Sequence, residues 1–132
     1  MRGIIAAFAF LFSSVSIAES PCKNLINEGL ENFVIAEHHL VSAAKKYRKV
    51  VGPISFHEKP TKCESVEQMQ RMFDAASAMF DEAQDTFTYA LDICETDGIR
   101  EASTWVDHTI TSHNIVRRYQ DLVEEYLATN CN

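Results

Sequence analysis

The fold of this chain is decided by residues 66–94, VEQMQRMFDAASAMFDEAQDTFTYALDIC. Phe73, Phe80 and Phe87 recur every seven residues. Ala76, Ala83 and Ala90 repeat with the same period between them, and Cys94 falls where the next phenylalanine would stand. Alternating steps of three and four residues keep one stripe of a gently supercoiled helix facing its partners. Phenylalanines fill holes in the opposite surface, and alanines let backbones come close. Glu67, Asp74, Asp81, Asp85 and Asp92 populate the other positions, so the helix is amphipathic and its outer acids read as a solvated face.

Working outward, two further segments carry the same period. Ser20-Pro21 places an N-cap residue before a proline at the first helical position. The seam that follows is read as Ile26, Leu30, Phe33, Glu37, Leu40, Ala44, Tyr47 and Val51, ended by Gly52-Pro53. Lys45, Lys46, Arg48 and Lys49 crowd the end of that helix, where positive charge complements the helix dipole. Beyond Cys94, Glu95-Thr96-Asp97-Gly98 makes a short turn with Asp97 as the expected N-cap. The third seam is read as Ile99, Ala102, Val106, Thr109, His113, Val116, Gln120, Val123 and Leu127. No strand-like alternation competes with these assignments.

The expected fold is therefore all-α, an up-down-up three-helix bundle with helices at about 21–51, 65–94 and 98–129. Ser65, with Gln68 in capping-box spacing, is expected to start the second helix after a loop over 52–62.

The first 18 residues stand apart. Arg2, an apolar run from Ile4 to Phe12 and the small residues Ser16 and Ala18 read as a secretory signal peptide cut after Ala18. The run is too short to span a membrane. Residues 19–132 then form one domain, expected in a periplasm or a secreted fraction, without stable membrane insertion. Twelve basic residues against 19 acidic ones give a net charge of −7, one unit more negative once Arg2 is removed. That balance argues against nucleic acid as a partner.

The four cysteines are even in number, as expected of an exported protein with two disulfides. Running the helices up, down and up puts Cys22 and Cys94 at one end of the bundle, and Cys63 and Cys131 at the other. Any other pairing would bridge most of a helix length, about 40 Å at 1.5 Å per residue, whereas a disulfide reaches only about 6 Å between Cα atoms. Cys22–Cys94 and Cys63–Cys131 are the expected bridges. No short-spaced cysteine pair suggests zinc, and no Cys-x-x-Cys-His run suggests covalent haem.

Functional signals are fewer. Counting levels along the bundle sets Glu37 beside His113 in the layer of Phe80, an expected buried polar layer that would pair the two groups. Gln120, one layer further, is placed within reach of Arg48 or Arg117. His38, His39 and His108 do not converge at ligand spacing, so no metal site or cofactor is expected. No nucleophile elbow or phosphate-binding glycine run occurs, and no enzymatic activity is expected.

Helix three carries a second apolar stripe, Ile115, Tyr119, Leu122 and Tyr126, at i, i+4, i+7 and i+11. Such a band fits an interface, with tyrosines burying area while keeping a polar tip. The competing expectation is that Ile54 and Phe56 of the long loop cover it. The resulting expectation is an exported, non-enzymatic protein-binding module, an inhibitor, immunity-type factor or adaptor, whose stripe takes another protein or a second copy of itself. The alternative is a small-ligand or metal carrier built on Glu37 and His113.

Overall fold

A computed structural model describes residues 20–52 and 59–131. The expected leader, and the loop residues Ile54 and Phe56, lie outside the described residues. The chain forms three long helices, α1 (Ser20–Val51), α2 (Lys59–Ile93) and α3 (Thr96–Asn130), packed up, down and up. Both disulfides join the expected cysteines, Cys22 to Cys94 and Cys63 to Cys131.

Two helix starts differ from expectation. Helix α2 begins at Lys59, and Pro60 occupies its first turn, where the missing N–H costs nothing. Ser65 therefore lies inside the helix. Only Cys94 and Glu95 separate α2 from α3, and Glu95 is the N-cap residue, without a side-chain capping bond. Asp97 falls within the first turn of α3, where its carboxylate faces the positive end of the helix dipole. So short a link forces the two helices into antiparallel contact.

The central helix is α2. Val66, Met69, Phe73, Ala76, Phe80, Ala83, Phe87 and Ala90 are all fully buried, and Cys94 nearly so. The other two helices pack closely on α2, but approach each other much less closely. Large rings fill that wider gap: Phe33 meets Trp105 edge to face at 5.3 Å, and Tyr47 meets Tyr119 at 5.8 Å.

Close approach of α1 to α2 explains a correction in the first seam. The buried line of α1 is Ile26, Gly29, Phe33, Ala36, Leu40, Ala43 and Val50, with Ala44 beside it. Small residues at 29, 36 and 43, seven apart, replace the larger neighbours Leu30 and Glu37 on the contact line. A Cβ at Gly29 would stand 2.5 Å from Cε1 of Phe87, so the glycine is where that ring seats against the α1 backbone. One residue of helix turns a side chain by about 100°. The shift from 37 to 36 thus carries Glu37 out of the core, and Glu37 is exposed.

Helix α3 keeps the expected seam at Ala102, Thr109, His113, Val116 and Val123, whereas Ile99 is exposed. Trp105, half-buried, joins the core between Phe33 and Phe87.

Candidate functional site

The two flanks of α3 present different chemistry, and the contacts of its side chains show which flank faces which helix. Towards α2, His113 and Gln120 meet a polar row formed by Asp74, Ser77 and Asp81, whose steps of three and four place them on one edge of α2. Ser77 Oγ lies 2.9 Å from His113 Nε2. On the other side of the ring, His113 Nδ1 is 3.4 Å from Asp81 Oδ1. When Ser77 donates to Nε2, the ring proton sits on Nδ1, the nitrogen nearer the Asp81 carboxylate. Seven residues along α3, Gln120 Nε2 donates to Asp74 Oδ1 at 2.9 Å.

This layer differs from the one expected from the sequence. Glu37 does not meet His113: it lies on α1 and is exposed, while His113 turns its polar edge to α2. Gln120 bonds Asp74 rather than an arginine. Asp74 and Asp81, read as a solvated face, are exposed yet reach across to α3. Ser77 gave no sequence signal of its own. The clue available was spacing, since Asp74 and Asp81 are seven apart, as are His113 and Gln120.

Towards α1, the other flank of α3 is aromatic and aliphatic. Trp105, Tyr119 and Tyr126 recur at seven-residue multiples and pack on the core. Tyr119 stacks on Phe73 at 5.0 Å and meets Tyr47 edge-on. The same sequence offset relates Phe33 to Trp105 and Tyr47 to Tyr119, so α1 and α3 run parallel without slipping past each other. Outside these rings the two helices leave a groove. Val34 and Val41, seven apart on α1, and Ile115 and Leu122, seven apart on α3, are exposed at 63%, 52%, 44% and 39%. Leu122 borders that groove and Ile115 shares its flank of α3, while Val34 and Val41 share one exposed face of α1. At the upper end of the groove Tyr47, Leu122, Glu125, Tyr126, Thr129 and Asn130 line a shallow recess of ≈ 200 Å³.

The stripe expected on helix three is thereby divided by depth. Ile115 and Leu122 are exposed, while Tyr119 and Tyr126 are half-buried floor. Burial raises the pKa of the Tyr47 hydroxyl above the usual phenol value of 10.0, and Glu125, Tyr119 and Tyr126 add to the rise. The Tyr47 hydroxyl therefore enters the groove as a neutral hydrogen-bonding group.

Among the described residues, no group of three or more His, Cys, Asp or Glu side chains is disposed to hold a metal ion. No helix among them is long and apolar enough to cross a membrane, and with the two disulfides the fold is compatible with an exported protein.

Comparison of the chain with protein-family models, curated proteins and solved structures gives no match.

Proposed function

We propose that this chain is an exported protein-binding module, acting as an inhibitor, immunity-type factor or adaptor, that takes an amphipathic helix of another protein along the α1–α3 groove. The reading rests on one observation. Two parallel helices stand apart over an aromatic floor, with Leu122 and its heptad neighbour Ile115 exposed along the α3 side of the gap and Val34 and Val41 exposed on α1. A fourth helix laid there, antiparallel to α1 and α3, would complete an up-down-up-down bundle. Its own apolar residues at seven-residue spacing would bury these aliphatic side chains.

Charge narrows the partner. The chain carries a net charge of −7 and Glu125 stands at the upper recess of the groove, so a helix with basic flanks fits better than an acidic one. Binding to such a stripe requires no catalytic group.

The test is affinity capture from the native exported fraction with the oxidised protein, beside a Val41→Glu/Leu122→Glu variant, and photo-crosslinking from positions 41 and 122. Both substitutions fall on exposed side chains and leave the fold intact. A partner that crosslinks from both positions and is lost with the variant supports the proposal. A partner retained by the variant refutes it, and crosslinks to a second copy of the chain replace it by self-association.

A further inference from the structure

We propose that Ser77 is an acyl-accepting nucleophile activated by His113, with Asp81 as the residue that positions the imidazole, and that it reacts with small neutral esters. The proposal is independent of the α1–α3 groove and lies on the opposite flank of α3.

Three groups stand in the order that nucleophilic catalysis requires. The Ser77 hydroxyl is 2.9 Å from Nε2, within reach for proton transfer. Donation by that hydroxyl puts the ring proton on Nδ1, and Nδ1 lies 3.4 Å from the Asp81 carboxylate. Burial holds the imidazole in place, since the His113 side chain is only 6% exposed, whereas Asp81 is 64% exposed. Ser77 is only partly buried, and a compact carbonyl compound must reach Oγ from the surface between α2 and α3. Asp74 and Asp81 beside it exclude anionic reagents.

The step balances without any co-reactant. The Ser77 Oγ adds to the ester carbonyl carbon as its proton passes to His113 Nε2. The carbon–oxygen bond to the leaving group breaks, the leaving group departs with the electron pair, and the proton is released from Nε2. The site lies mid-helix, where the backbone amides of α2 are committed to helical hydrogen bonds, so no pair of backbone donors faces the oxyanion. Both acylation and deacylation are therefore slow. With an activated ester, whose leaving group is far better than a serine alkoxide, acylation is the faster step and the acyl-serine accumulates.

Incubation of the oxidised protein with p-nitrophenyl acetate, followed by peptide fragmentation in a mass spectrometer, tests this directly. The expected result is acetylation of Ser77 in the native protein, slowed about 100-fold in His113→Asn, the size of a general-base contribution. Asp81→Asn, at an exposed position that leaves the fold intact, separates positioning from structure. Loss of the carboxylate beside the ring slows acylation of Ser77 about tenfold without lowering the melting temperature, and Asp81→Glu restores the rate. Acetyl groups on lysines alone, with Ser77 unmodified, overturn the proposal. An unchanged rate at Ser77 in His113→Asn, or in Asp81→Asn, does the same.

Discussion

Gly29 of α1 and Phe87 of α2 are in direct contact: the position a Cβ would take on Gly29 is 2.5 Å from the edge of the phenylalanine ring. Because Gly29 sits mid-helix, alanine there should gain about 1 kcal/mol from helix propensity alone. The clash outweighs that gain. Gly29→Ala is expected to destabilise the protein by about 1–3 kcal/mol, the usual cost of overpacking. Chemical denaturation of Gly29→Ala, Phe87→Leu and the double variant would check it, with the smaller leucine recovering part of the loss.

The polar layer makes a paired prediction. Glu37→Ala should change stability by less than about 0.5 kcal/mol, as exposed substitutions do. His113→Ala should cost about 2 kcal/mol or more, since it leaves a cavity and removes the Ser77 hydrogen bond. In double-mutant cycles Ser77 and His113 should couple, while Glu37 and His113 should be additive.

Alkaline pH should expose the Tyr47 environment. Its pKa is raised in the folded state, chiefly by burial and then by the Glu125 charge. The folded chain therefore holds this proton more tightly than the unfolded chain does. The associated stability is fully present below pH 10.0, the ordinary phenol value, and is lost as pH rises through the higher folded value. Denaturation midpoints measured across that range should fall, and less steeply in Tyr47→Phe.

Depth along the helix-three stripe should separate two truncations. Tyr119→Ala removes a ring stacked on Phe73 and packed against Tyr47, and should cost about 3 kcal/mol or more. Leu122→Ala removes an exposed side chain and should cost less than about 1 kcal/mol. Thermal melts distinguish them, and only the second variant is useful for reading binding.

Each disulfide closes a loop of about seventy residues, with separations of 72 and 68. In the loop-entropy account each bridge contributes about 4 kcal/mol. Cys63→Ser/Cys131→Ser and Cys22→Ser/Cys94→Ser should each lower the melting temperature clearly, and reduction of both bridges should lower it further. Differential scanning calorimetry with and without reductant gives the comparison.

The helices and their pairing were legible because Phe73, Phe80 and Phe87 declare a period that only a helix satisfies, and that order of helices leaves the cysteines one workable pairing. The first seam misled because the contact line is drawn by small residues. Gly29, Ala36 and Ala43 carry little hydrophobic signal, yet they mark where backbones come together, so Leu30 and Glu37 were read one position out of phase. The groove was half legible: Ile115 and Leu122 announce themselves on α3, but their counterparts Val34 and Val41 gain meaning only when α1 is known to run beside them. The Ser77–His113–Asp81 row was hidden because a serine and an aspartate on a helix surface resemble any solvated pair until the opposite helix supplies a histidine.

The bridges also interleave along the chain, Cys22, Cys63, Cys94 and Cys131, with the first joined to the third and the second to the fourth. A single peptide-bond cut anywhere from Cys22 to Cys131 therefore leaves both fragments on one covalent molecule, and a cut between Cys63 and Cys94 leaves them tied twice. In a compartment patrolled by proteases, a nick in this protein does not release a piece of it.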